Sequence, residues 1–345
     1  MPMTPMKRLD SREITKNAGE IRAFVTVLNE EKRLACFLDH YRSLGVNRFF
    51  FADNLSKDGT VKYLLAQPDC HVFSAPGNHF TENVEPPRWL NALANVFGNG
   101  HWCVTVDADE LLVYPNFTTV SLKEFCGYLD QEGSQALAGP MIDMYGPGPV
   151  AATRYIQGTH FLDSCPYFDP ELGWSRRTEY CPGWQLFGGA RERVFWHDQP
   201  KENLPPCISK VPLVKWRKGL DYIVAEHLHK GAKVSQMRGA LLHFKFLSGF
   251  AISNKDQVTI NKHVAEKTLS EKAIYLAALA KDPSLSLMYQ HSTLYTGPEQ
   301  LEKLGWMVAT PHYKRFASQL KRKPKKNDEH HIIGGTRRIN SFSSE

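Results

Sequence analysis

Residues 21–54 read IRAFVTVLNEEKRLACFLDHYRSLGVNRFFFADN, and this stretch decides the fold. Ile21 to Leu28 is a short, nearly unbroken apolar run in which Val25 and Val27 supply β-branched residues, the pattern of a buried strand. From Leu34 the period changes: Leu34, Phe37, Leu38, Tyr41 and Leu44 recur at helical spacing, and Gly45 ends the run. Arg48 to Ala52 is a strand again and runs into Asp53-Asn54. Strand, helix and strand in this order make a parallel unit with a crossover helix.

The same alternation continues outward. A helix is expected from about Thr60 to Ala66, a short strand at His71 to Ser74, a helix at Arg88 to Phe97 and a strand at His101 to Val106. An α/β protein with a mostly parallel central sheet follows. Ligands of such sheets bind beyond the carboxyl ends of the strands. Those ends are polar here: Asn29-Glu30, Asp53-Asn54 and Asp107 to Glu110.

The middle, from about Leu137 to Val214, is rich in Gly, Pro and aromatic residues, with strands expected at Ala136–Met144, Glu192–Trp196 and Val211–Lys215. Further strands are expected at Asp221–Leu228 and Ala240–Phe246, and helix from Asn254 to Ala280. The organisation expected is a loose lead-in over 1–20, an α/β domain over 21–250 divided at 115/116, a helical extension over 251–320 and a disordered basic tail over 321–345.

Composition bounds the class. The chain has 345 residues, 42% hydrophobic and 23% charged, as in ordinary globular proteins. The net charge of +6 is carried by a run from Lys314 to Lys326 that contains no acid, so a nucleic-acid footprint over the body is not indicated. The 7 cysteines form no CxxC pair, which argues against a zinc or thioredoxin-like site and for a reducing compartment. The first residues lack the apolar core of a signal peptide, and no run approaches a membrane span. A cytoplasmic protein, with at most peripheral contact at the inner face of a membrane, is expected.

Four stretches carry chemistry. In HWCVTVDADELLVYP (101–115), Asp107, Asp109 and Glu110 fall between two pieces of core. An unpaired buried carboxylate is costly, and an Asp-x-Asp at a strand end can present oxygens to one hard divalent cation, Mg²⁺ or Mn²⁺. In FADNLSKDGT, Asp53 can accept a hydrogen bond from a nucleobase N–H, whereas Ser56, Asp58 and Gly59 read as a turn and cap. In ALLHFKFLSGF, His243 and Lys245 share one face opposite Leu242, Phe244 and Phe246; an imidazole can ligate a metal and an ammonium can neutralise phosphate there, and the ordinary alternative is the wet polar face of a half-buried strand. In PGWQLFGGARERVFW, Gly188-Gly189 allow close backbone approach, and Arg191 and Arg193 can grip an anion. No Gly-x-Gly-x-x-Gly follows a strand, and no Walker-type loop or Gly-x-Ser-x-Gly elbow occurs.

In order and spacing, VLNEEKRLACFLDHYRSLGV, FADNLSKDGT, WCVTVDADELLVYP, FGGARERVF, ISKVPLVKW and ALLHFKFLSGF resemble the bacterial family-2-type glycosyltransferases of GT-A fold, close to the family-92-like group. The resemblance spans roughly residues 21 to 250. It implies a nucleotide pocket at Asn29 and Glu30, a base contact at Asp53, and Arg88 near the donor phosphates. It further implies a metal held by Asp107 and Asp109 with the donor pyrophosphate, His243 as a further ligand, and Lys245 beside the departing phosphate. A UDP-sugar donor and a glycan or lipid-linked acceptor are the partners implied, with inversion at the sugar. The general base that inversion needs is expected at Asp143, with Glu192 and Glu226 next. Two other classes compete: a nucleotidyltransferase on a similar sheet, which usually has a Gly-rich loop where this chain reads LNEEKRLAC, and a non-catalytic protein that binds anionic lipid or nucleic acid through its basic tail.

Overall fold

The computed structural model describes residues 6–15, 17–76, 85–176, 185–200, 203–224, 228–247 and 271–320. Among them are β1 (Lys7–Arg8), β2 (Ile21–Val27), α1 (Glu31–Leu44), β3 (Arg48–Asp53), α2 (Thr60–Leu65), β4 (Cys70–Ser74), α3 (Glu85–Phe97) and β5 (Trp102–Thr105). There follow β6 (Glu110–Val113), α4 (Leu122–Glu132), β7 (Ala136–Asp143), β8 (Tyr167–Phe168), β9 (Trp174–Arg176), β10 (Leu186–Gly188) and β11 (Ser209–Lys215). The last strands are β12 (Asp221–Val224), β13 (Leu228–Lys230), β14 (Val234–Arg238), β15 (Ala240–His243) and β16 (Thr293–Leu294), with C-terminal helices at Glu271–Lys281, Pro298–Lys303 and Pro311–Gln319.

One 10-stranded sheet organises the chain in the order β1-β4-β3-β2-β5-β11-β7-β15-β6, with β14 beside β7. β4, β3, β2 and β5 run parallel. β11 runs antiparallel between β5 and β7, β15 is parallel to β7, and β6 closes the edge antiparallel to β15. The architecture is α/β with a large, mostly parallel central sheet, as expected.

Alternate side chains of a buried strand serve opposite faces. Ala23, Val25 and Val27 of β2 join Leu34, Phe37, Leu38 and Tyr41 of α1 in one core. Phe24 and Phe50 join Trp89, Leu90 and Leu93 of α3 in a second core on the other face. Each fully buried side chain of this size contributes about 1.5–3 kcal/mol by leaving water. Edge strand β6 is covered by α1: the Tyr41 hydroxyl donates to Glu110 O and accepts Leu112 N–H, and His40 Nε2 lies 3.0 Å from Leu112 O. These bonds occupy polar groups that an edge strand leaves open.

Some expectations fail in the middle. Glu192–Trp196 is a wide π-helical turn rather than a strand. Asp221–Leu228 divides into the β12–β13 hairpin, with 225–227 outside the described residues. The Ala240–Phe246 strand stops at His243. Helix was expected from Asn254, and its described part is Glu271–Lys281. α4 was not expected, although Ser121 and Glu124 form a capping box at its start.

Candidate functional site

Register brings the central residues together. His243 of β15 lies opposite Glu110 of antiparallel β6 and beside Asp143 of parallel β7. Cross-strand neighbours on one face of a sheet point the same way, so these three side chains meet at one level. His243 Nδ1 is 2.8 Å from Asp143 Oδ1, and Arg191 Nε donates to Asp143 Oδ2 at 2.9 Å. In the neutral ring, a hydrogen on Nδ1 given to this carboxylate leaves the lone pair on Nε2, which is 3.8 Å from Asp109 Oδ2. The chain enters β6 just before this point, and Asp109 O accepts the Phe244 N–H at 2.8 Å. Asp109, Glu110 and His243 each offer one ligand atom, all within 4.8 Å of one another. Two carboxylates and an imidazole suit a divalent cation, and the carboxylate behind the imidazole is the usual support of a metal-bound histidine.

Asp143 is buried. Burial pushes its carboxyl up, but the charge of Arg191 and the hydrogen bond from His243 outweigh it and hold the group below the usual carboxylate range. Both its oxygens are engaged, so the carboxyl expected as a general base presents neither a raised proton affinity nor an open oxygen to a hydroxyl.

Asp107, expected beside Asp109 on the metal, is not one of the three grouped ligand residues and has one oxygen on an internal cation. Its Oδ2 is 2.8 Å from Lys210 Nζ, and the same ammonium is 2.7 Å from Glu110 Oε1. Lys210 is 1% and Glu110 0% exposed, against 46% for the Asp107 side chain, so an internal cation meets the acidic strand end from below while Asp107 lies at its rim. Glu110 Oε2 also accepts Asp107 N–H. Burial, with Asp107 and Asp109 adding to it against Lys210, pushes the Glu110 carboxyl up.

The neighbouring strand ends are stitched together. Asn29 is exposed, with φ of 58°; Ser56 Oγ accepts its N–H at 2.9 Å, and its Oδ1 accepts Lys57 N–H at 2.7 Å. Glu30 pairs with Arg33 at 2.6 Å, and its carboxyl is raised by burial, against Arg33, with Asp109 and Asp107 adding to the rise. Glu30 therefore sits in the same field as Asp107 and Asp109, just before β6. Asp53 is buried, accepts Ser56 N–H at 3.2 Å, and is raised chiefly by burial. Arg88 is half-buried on α3. Lys245 Nζ is 3.2 Å from Glu271 Oε1. Glu192 lies on the π-helical turn, and Glu226 is outside the described residues. Arg193 grips Asp169 through two hydrogen bonds of 2.9 Å and stacks 4.0 Å over Tyr289, so its partners are internal.

Sequence reasoning passed over Lys210 and Glu271. The signal for Lys210 was a lone lysine in the otherwise apolar ISKVPLV. Glu271 had none, because its partners lie far away in the chain. Among the described residues no helix is long and apolar enough to cross a membrane, and the cysteines described are free thiols.

No family model and no curated protein matches the chain. Solved structures with partial similarity include a 4-diphosphocytidyl-2C-methyl-D-erythritol synthase (13% identity, TM-score 0.25, 41% of this chain and 66% of that one). A second such synthase, from Anaerococcus prevotii, gives 14% identity and a TM-score of 0.25 over 50% of this chain and 70% of that one. A UDP-glucose pyrophosphorylase complexed with UDP-glucose gives 8% identity and a TM-score of 0.27 over 56% of this chain and 90% of that one. The chain therefore spans about two thirds of the first synthase, and likeness this low carries no argument about its chemistry.

Proposed function

We propose that the protein is a metal-dependent glycosyltransferase of the GT-A type, moving a sugar from a nucleotide-diphosphate sugar, a UDP-sugar first of all, to a hydroxyl on a glycan or lipid-linked acceptor. The observation that carries this reading is the convergence of Asp109, Glu110 and His243 beside the strand ends, with the imidazole aimed from behind by Asp143. The ordered motifs of residues 21 to 250 support it.

Asp109 and His243, with Glu110 or Asp107 beside them, would hold a divalent cation, Mn²⁺ or Mg²⁺, which would supply Lewis-acid stabilisation of charge on a diphosphate. The chain's own groups do the rest. Asp143 keeps the proton of His243 on Nδ1, so we assign it to positioning and not to proton abstraction. Asn29 and Glu30 line the nucleotide pocket, Asp53 accepts from the base, and Arg88 and Lys245 neutralise phosphate.

The test is sugar-nucleotide hydrolysis with Mn²⁺ across a panel of UDP- and GDP-sugars. Hydrolysis that disappears in Asp109→Ala and His243→Ala supports the reading. Release of pyrophosphate from a nucleoside triphosphate and a sugar phosphate, with no sugar-nucleotide hydrolysis, would make the chain a nucleotidyltransferase instead.

A further inference from the structure

Beyond His243, the chain reaches Lys245, and the cations gathered there close around a carboxylate of the chain itself. Glu271 Oε1, at the start of the helix Glu271–Lys281, is 3.2 Å from Lys245 Nζ and 3.3 Å from Arg191 Nη1, and it accepts the Tyr275 hydroxyl hydrogen. Lys272 stands next to it, half-buried; burial and the charge of Lys245 push its ammonium down to about 7. Arg191 is 3% exposed, and its Nη2 is buried with no hydrogen-bond partner among the described residues. The cations are anchored from elsewhere: Arg191 by Asp143, and Lys245 by the Tyr275 ring, 5.7 Å from its Nζ. Glu271 is half-buried, its side chain 37% open to solvent against 24% for Lys245 and 3% for Arg191.

We propose that the Glu271 carboxylate is a built-in counter-anion that fills a phosphate subsite formed by Arg191 and Lys245, and that a ligand's phosphate enters by displacing it. The inference rests on the nucleotide-sugar reading for the identity of the ligand. A phosphate group brings more acceptor oxygens and more charge than a carboxylate, so it can engage Lys245 and Arg191 Nη1 and also satisfy Nη2. A glutamate side chain that is already 37% open to solvent can swing into water. An occupant of this kind lowers ligand affinity by the fraction of molecules in which the subsite is open.

The experiment uses the full chain in a chelator, with inorganic pyrophosphate as the probe and calorimetry as the readout. Glu271→Gln should bind pyrophosphate about tenfold more tightly than the parent if the carboxylate fills the subsite in about nine molecules of ten. Tyr275→Phe, which removes the hydroxyl that steadies the carboxylate, should tighten binding in the same direction and serves where Glu271→Gln unfolds. Lys245→Met should lose the binding. Pyrophosphate affinity that is unchanged, weaker or undetectable in the folded Glu271→Gln or Tyr275→Phe protein overturns the proposal. If sugar nucleotides are hydrolysed and that affinity does not rise, the counter-anion falls and the transferase reading stands. If none is hydrolysed and the affinity rises, the transferase reading falls and the counter-anion stands.

Discussion

Lys210 Nζ lies 2.7 Å from Glu110 Oε1, with both side chains withdrawn from water. This pair answers part of the charge problem posed by DADE, since one cation that meets the acids is built into β11. Removing one member of a buried pair strands the other, at a cost of about 3–5 kcal/mol, while replacing both is close to neutral. Lys210→Met should therefore lose stability of that order in urea unfolding, and Lys210→Met combined with Glu110→Gln should recover most of it. A single variant as stable as the parent contradicts the pairing.

Asp143 fixes the tautomer of His243 from behind. Asp143→Asn can present its amide N–H₂ to the ring and favour the wrong tautomer. Loss of such a supporting carboxylate typically weakens metal binding about 10–100-fold. Calorimetric titration with Mn²⁺ on the folded variant should show that loss, and urea unfolding should show a drop of about 3–5 kcal/mol because the buried Arg191 loses its paired charge. Unchanged Mn²⁺ affinity would remove the positioning role.

His40 makes stability depend on pH. Burial drives its imidazole down to about 4, against the hydrogen bond it gives Leu112 O. The folded value lies below the unfolded one of about 6.5. Its contribution is thus fully present above about pH 6.5 and is lost as pH falls towards 4. Tm should decline across that window, and His40→Gln, which keeps an N–H for Leu112, should flatten the decline. An identical slope in the variant would show that other groups carry it.

Gly139 lets β7 approach the turn into β15. A Cβ there would meet Gly239 O at 2.6 Å, and that oxygen belongs to the backbone and cannot swing aside. Gly139→Ala should cost about 1–3 kcal/mol in unfolding free energy, the usual range for overpacking. Denaturation that matches the parent would mean that the two strands can separate freely.

The parallel half of the fold was legible because its signals are local. The apolar runs of β2, β3 and β5 and the helical period of α1 are written in consecutive residues, and the observed boundaries fall within a few residues of those expected. His243 and Asp109, which come together with Glu110, were legible as candidate ligand types for the same reason. Lys210 and Glu271 were not, and Arg191 was legible only as a residue able to grip an anion, because their partners lie far off in the chain: Lys210 pairs with Asp107 across 103 positions and Arg191 with Asp143 across 48. Glu192–Trp196 misled because ERVFW has the composition of a strand, while Phe195 and Trp196 are drawn into a third core with Tyr275 and Phe246.

Mn²⁺ titration of the parent chain, Asp109→Ala and His243→Ala, each checked for folding by its unfolding curve, tests the central claim most directly. The parent should bind Mn²⁺ at a single site that both substitutions abolish. Equal Mn²⁺ binding in all three proteins would contradict it.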